Sequence, residues 1–337
     1  MRRAAARLLF PALLFTVAAA GCVKFQQGKV DYGPAKNQFV EIDGQRIRYI
    51  DVGEGEPVLL IHGFGSALEA WQQVIPRLRE GRRVIALDLP GFGKSDKHDR
   101  DYSSPSLAET VHAFMQKLGI EKADVVAHSW GCSIALALAM QRPASVRRLV
   151  LSGAWVFEEQ LPPFAKWARV PVLGEIIFGW TYKELIAQRL ALGFYEPEKI
   201  VDQKFVDAVE KAMDRPGAVA AALAATRGQR FENMEKHYAA VTQKTLIVWG
   251  REDEVARPLY GEKLSNIIPN ARLVFIPQCG HLPMVERPVQ FANKVLEFLD
   301  FKETGDEPLE KPAEEHPSAG KAPGADPISI DGQAENP

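Results

Sequence analysis

The sequence predicts an α/β fold, with a doubly wound, mostly parallel sheet of about eight strands and a helical insertion. Three observations predict it. Short, continuous apolar runs alternate with helical stretches along most of the chain, as in a parallel sheet covered by helices on both faces. The first two runs instead alternate apolar with polar residues around Asp43-Gly44, which suits an antiparallel edge hairpin. Between the runs ending at 152 and beginning at 245, about ninety residues show helical segments and no strand. An ordinary connection takes roughly 2–6 residues.

In chain order, strands are predicted at 39–42, 47–52, 58–61, 84–87, 124–128, 148–152, 245–249 and 272–276. Helices are predicted at 68–78, 106–118, 130–141, 258–267 and 288–299, and inside the insertion at 180–192, 198–213 and 218–227. With 337 residues and a hydrophobic fraction of 46%, the chain has ample material for one large core, placed at 38–301 with the insertion at about 153–243. A formal net charge of −2 and no basic stripe leave no electrostatic footprint for nucleic acid. No internal repeat is present.

Both ends read differently. Arg2, Arg3 and Arg7 precede an apolar run at 8–20, which has the length of a signal segment and is too short for a spanning helix. The ending Ala19-Ala20-Gly21-Cys22 resembles a bacterial lipobox, in which Cys22 carries the lipid after cleavage. An ordinary signal peptide cut near Ala20 or Gly21 is the alternative. Export to the cell envelope, membrane attachment through Cys22 and a tether over 23–37 are therefore expected. From 302 to 337 the chain is rich in Pro, Glu, Gly and Ala with few aliphatics, the composition of a disordered tail.

The chemistry is carried by Ala127-His128-Ser129-Trp130-Gly131. It follows an apolar run and opens a helical one, so the serine sits on a sharp strand-to-helix turn with its hydroxyl exposed. Ala127 takes the first small position, where glycine is commoner. Two further loops supply partners. Asp253 follows the run 245–249, and His281 follows the run 272–276 in Cys279-Gly280-His281. A serine hydroxyl is a weak nucleophile until a base takes its proton, and the base needs an acceptor on its other nitrogen.

Serine, aspartate and histidine in that order, each past the end of a strand, resemble the α/β-hydrolase family over roughly residues 39–301. The resemblance implies a triad of Ser129, His281 and Asp253. Glu158 or Glu159 is the alternative acid, since the family sometimes places it after the preceding strand. It further implies an oxyanion hole made by the backbone N–H groups of Phe64, in His62-Gly63-Phe64-Gly65, and of Trp130. The insertion corresponds to a helical cap. Its aromatics Trp155, Phe157, Phe164, Trp167, Phe178, Trp180 and Phe194 pack the cap, and some face an apolar pocket above the serine. His62 and His128 are expected to be structural, and Asp88-Leu89-Pro90-Gly91-Phe92-Gly93-Lys94-Ser95 is a family loop held by Asp88 and Ser95.

The expected activity is hydrolysis of a small to medium apolar carboxylic ester through an acyl-enzyme, by a monomer. Carbon–carbon bond hydrolases and aminopeptidases of the same fold are the alternatives. A serine at the elbow, in place of aspartate, separates the chain from haloalkane dehalogenases and epoxide hydrolases. A non-catalytic envelope protein that binds an apolar ligand is the alternative from another class. No metal-binding or phosphate-loop spacing occurs, so no cofactor is expected. Cys132 and Cys279 flank the serine and the histidine; two small buried side chains are the default reading, a bridge between them the other.

Overall fold

The computed structural model describes Lys24 and residues 38–300. The expected signal segment, the expected lipidation site at Cys22, most of the expected tether and the expected tail lie outside the described residues. Eight strands form one sheet: β1 Gln38–Ile42, β2 Gln45–Val52, β3 Glu56–Ile61, β4 Arg82–Leu87, β5 Ala123–His128, β6 Val146–Ser152, β7 Lys244–Gly250 and β8 Ala271–Ile276. Their order is β1-β2-β4-β3-β5-β6-β7-β8, antiparallel at β1, β2 and β4 and parallel from β4 onward. The edge hairpin turns at Asp43 and Gly44, whose φ of 49° and 75° give the primed turn that matches strand twist.

The helices are α1 Ile75–Leu78, α2 Ser104–Lys117, α3 Trp130–Gln141, α4 Pro163–Ala168, α5 Leu173–Leu192, α6 Gln203–Met213, α7 Ala218–Gly228, α8 Glu232–Glu235, α9 Leu259–Ile267, α10 Pro283–Glu286 and α11 Pro288–Asp300. Two helix predictions need correction. The one over 198–213 is a 3-10 turn at Pro197–Lys199 followed by α6. The helix expected over 68–78 is a 3-10 turn at Leu68–Trp71 followed by α1. Pro76 explains the break, since its ring excludes the carbonyl four residues back and it offers no N–H.

Strand periodicity divides the core in two. Leu59, Ile61, Val125, Ala127, Leu149 and Leu151 face α2 and α3, while Val58, Leu60, Val126, Val150 and Val248 pack against Trp71, Val74, Phe291 and Val295. Cys132 belongs to the first face and Cys279 to the second; both are free and buried, and burial pushes both thiol pKa values up. Helices α4 to α8 fill the interval between β6 and β7, with a small core of their own around Ala168, Phe178, Met213 and Leu223. After β4 the chain crosses to the other side of β3, so the loops leaving β3 and β5 diverge. That crevice, at the carboxyl ends of the strands, is where such sheets bind ligands.

Candidate active site

β5 is buried at every position and passes directly into α3 through Ser129. Ser129 has φ 52° and ψ −125°, a conformation that surrounding contacts must enforce. Its N–H donates to the Ser152 carbonyl at 2.9 Å, and its own carbonyl accepts from the Trp155 N–H at 3.1 Å. Glycine is required at position 131, because a Cβ there would lie 2.5 Å from the His62 carbonyl oxygen at the end of β3. At Gly63 a Cβ would lie 2.9 Å from the Cβ of Ser129. Ala127 is fully buried, so the methyl group in place of hydrogen is accommodated within the core.

The three expected side chains come together. The Ser129 hydroxyl donates to His281 Nε2 at 3.0 Å, and His281 Nδ1–H donates to Asp253 Oδ2 at 2.8 Å. Asp253 Oδ1 accepts from the amides of Val255 and Ala256 at 2.9 and 2.8 Å, which fixes the carboxylate. Ser129 is 9% exposed, His281 7% and Asp253 2%, so only the serine and histidine reach the surrounding space. The alternative acids are engaged elsewhere, Glu158 with Arg169 at 2.6 Å and Glu159 with Lys263 at 2.7 Å.

A residue that the sequence reading missed, Glu286, ties the histidine loop to the insertion. Its Oε2 accepts from the Gly280 amide at 2.6 Å, and its Oε1 from the Tyr195 and Glu196 amides at 2.7 and 3.2 Å. The His281 amide in turn donates to the Gly193 carbonyl at 2.8 Å. The signal available was a carboxylate soon after the histidine, in a one-turn helix opened by Pro283.

Neither the Phe64 nor the Trp130 amide, the expected oxyanion donors, has a partner among the described residues. Trp130 opens α3, whose N-terminus adds partial positive charge beside the serine. The rings of Phe64, Phe92 and Trp130 meet edge to face at 5.6 to 6.0 Å and hold the two loops together. His62 braces the same loop: Nδ1–H donates to the Gly63 carbonyl at 2.7 Å and Nε2 accepts from the Leu89 amide at 3.0 Å, with burial lowering its pKa. Asp88 accepts from the Leu68 and Lys94 amides and from Arg48, and Ser95 bridges Arg48 and Asp88, so these two residues do hold their loop.

His128 donates from Nε2 to the His281 carbonyl at 2.9 Å, while its ring stands 4.7 Å from the His281 ring. Its Nδ1 is buried without a partner. Burial, with His281 beside it, holds its pKa well below the ordinary histidine value, so it stays neutral.

Ser129 opens into a cavity of about 790 Å³ between the sheet and the insertion. Phe64, Phe92, Trp155, Phe164, Phe178 and Val285 supply apolar wall. Of the remaining aromatics, Phe157 and Phe194 are buried elsewhere, and Trp167 and Trp180 face solvent. The cavity also has a cationic part. Lys97 Nζ donates to the carbonyls of Gly93 and Ser95 at 3.0 and 2.9 Å, and Arg215 Nη1 donates to the same Gly93 carbonyl at 2.6 Å. Neither cation pairs with a carboxylate among the described residues. Burial, reinforced by Arg215, lowers Lys97 to about 8. Among the described residues, no group of three His, Cys, Asp or Glu side chains is placed to hold a metal ion.

Comparison with known proteins agrees with this fold. Residues 58–294 match the Alpha/beta hydrolase family. The chain is 32% identical to the 2-hydroxymuconate semialdehyde hydrolase of Pseudomonas sp. (strain CF600), over 76% of this chain and 91% of that protein. It is 30% identical to the 2-hydroxy-6-oxo-6-(2'-aminophenyl)hexa-2,4-dienoic acid hydrolase of Metapseudomonas resinovorans, over 78% and 90%. Among solved structures, the meta-cleavage product hydrolase CumD of Pseudomonas fluorescens IP01 superposes with a TM-score of 0.65 at 30% identity, covering 78% of this chain and 97% of that one. The chain belongs to the alpha/beta hydrolase family.

Proposed function

We propose that this protein is a serine-dependent hydrolase that cleaves a carbon–carbon bond beside a ketone in an acidic, partly apolar substrate. The observation that carries the reading is the cavity itself, in which Ser129 shares an apolar chamber with two cations that lack carboxylate partners. A dienoic keto acid, the substrate class named for the relatives above, brings an apolar arm and a carboxylate to such a chamber. The carboxylic ester expected from the sequence uses the same triad, but the relatives favour the carbon–carbon bond.

In this reading His281 Nε2 takes the Ser129 proton as Oγ attacks the ketone carbon. The oxyanion is received by the Phe64 and Trp130 amides. Collapse breaks the carbon–carbon bond, and the leaving carbon takes the proton from His281. Water, deprotonated by His281, then releases the acyl group from Ser129 as a carboxylic acid. Asp253 stabilises the imidazolium in both halves. The residues upstream of Lys24 complete the proposal, with export and a lipid anchor on Cys22.

The test compares a 2-hydroxy-6-oxo-dienoate with p-nitrophenyl esters of short and medium chain, using wild type and Ser129→Ala. The reading predicts serine-dependent loss of the dienoate chromophore with a kcat/KM at least about 100-fold above any ester, a preference of about 2.7 kcal/mol. Faster turnover of the esters would return the assignment to carboxylesterase.

A further inference from the structure

We infer that the outer face of α4 and α5 is a docking surface for a lipid bilayer. Among the described residues, six of the ten large hydrophobic side chains that stand exposed lie within one short stretch: Trp167, Val170, Val172, Leu173, Ile176 and Trp180. Trp180 is 79% exposed and Trp167 56%, values far from those of core aromatics. Leu173, Ile176 and Trp180 follow at i, i+3 and i+7, so they form one stripe along α5. The other side of the helix already has its partners. A Cβ at Gly174 would lie 2.4 Å from the Ala168 carbonyl, and Phe178 is buried with Ala168 and Met213. Over its first turns, residues 173–180, α5 therefore carries apolar side chains on two sides, and the insertion covers one.

The backbone points the same way. Val172 joins α4 to α5 with φ 69°, in the left-handed region that glycine occupies freely and a β-branched residue enters at a cost. Glycine would relieve that strain and remove the outward side chain. The charged residues beside the stripe are paired: Glu175 with Arg227 at 2.9 Å and Arg169 with Glu158 at 2.6 Å. Lys166, beside Trp167, is exposed and has the sign that anionic headgroups attract. Tryptophan with aliphatic side chains and a lysine at the edge suits a surface lying in a membrane interface.

The occupant follows from the rest of the chain. An apolar leader ending at Cys22 carries the pattern of a lipid anchor, and 15 residues separate Cys22 from Gln38. Fully extended, they span about 50 Å, against a radius of gyration of about 18 Å for a domain of this size. Any face of the domain is within reach of the membrane on such a tether, so an anchor alone would not orient the enzyme. The tryptophan-bearing face would. The same helices line the cavity from within through Phe164 and Phe178, so docking sets one cavity wall against the bilayer.

The test uses the full-length chain in vesicles of phosphatidylethanolamine and phosphatidylglycerol whose acyl chains are brominated, which quench tryptophan on contact. Wild-type fluorescence should fall, and Trp167→Phe/Trp180→Phe, which keeps the apolar surface but removes the reporters, should lose most of that quenching. Val172→Asp/Ile176→Asp should stay with the vesicles through the anchor yet lose the quenching. Turnover of a soluble substrate, unchanged in all three proteins, shows that they are folded. Quenching identical in wild type and in the phenylalanine variant would overturn the proposal. So would self-association in lipid-free solution that the aspartate variant abolishes, since a second copy would then be the occupant. Because the readout needs no catalysis, its failure leaves the hydrolase assignment standing.

Discussion

The loops at the carboxyl end of the sheet and the outer face of the insertion are built on opposite rules. In the loops, each carboxylate that positions chemistry has both oxygens occupied: Asp253 by His281 and two amides, Glu286 by three amides, Asp88 by two amides and Arg48. On α4 and α5, and in the turn between them, six large apolar side chains among the described residues are exposed. The first arrangement fixes a reacting geometry before substrate arrives. The second has a face whose burial requires something outside the domain. The contrast teaches where polar groups are satisfied: around the serine, histidine and aspartate every carboxylate oxygen has a donor, and on the insertion the exposed side chains are apolar.

Breaking the rigid region should have the largest effects. Ser129→Ala should lower kcat by roughly 10⁴-fold or more, because triad members act as a unit. Thermal melting should change little, since alanine keeps the Cβ that the elbow already accommodates. Asp253→Asn should cost about 10⁴-fold through loss of the histidine tautomer and of imidazolium stabilisation, read as kcat with KM nearly constant.

Glu286→Gln sharpens the comparison, because Glu286 touches no reacting atom. The amide group turns an N–H toward backbone donors, leaving one or two buried donors without acceptors at roughly 1–3 kcal/mol each. Melting temperature should fall. His281 should also be less well held, so kcat should fall about tenfold while KM moves less; an unchanged kcat would remove Glu286 from the positioning set.

Lys97 gives a pH test. Its folded pKa, about 8, lies below the ordinary value near 10.5, so the folded state loses its proton first. The buried charge therefore destabilises fully below about 8, and stability should rise with pH between about 8 and 10.5. The rise is at most roughly 3 kcal/mol, and Lys97→Met should abolish it in denaturant titrations. In the same window KM for a dienoate should rise in wild type as the cation is lost, while KM for a neutral ester stays flat. The smallest effect belongs to the outer face: Trp180→Phe should leave soluble turnover within about twofold, as expected for a surface substitution.

Much of this was legible in the residues. Ser129, Asp253 and His281 could be read because each stands in a short loop just past a continuous apolar run, and strand order then brings the three loops to one edge. The Phe64 and Trp130 amides, expected as oxyanion donors and without a partner among the described residues, could be singled out because main-chain groups are fixed by the turn and independent of the side chain. What could not be read depends on contacts between distant segments. Glu286 matters because Gly280, Tyr195 and Glu196 converge on it, which nothing in its own neighbourhood announces. Trp167, Phe178 and Trp180 look alike as aromatics of one insertion, yet one is buried and two face outward. The i, i+3, i+7 stripe held that distinction, but only the packing of Gly174 and Phe178 says which stripe is inside. The unbroken helix expected over 68–78 failed at Pro76, a local rule outweighed in the reading by apolar periodicity.

The central claim is that Ser129 is a nucleophile activated by His281 and Asp253. The most direct measurement is reaction of the folded protein with a fluorophosphonate, followed by peptide mass spectrometry. The account predicts one adduct, on Ser129, absent from the Ser129→Ala variant and from denatured protein, and formed far more slowly in Asp253→Asn. An adduct on another serine, or none on the native protein, would contradict it.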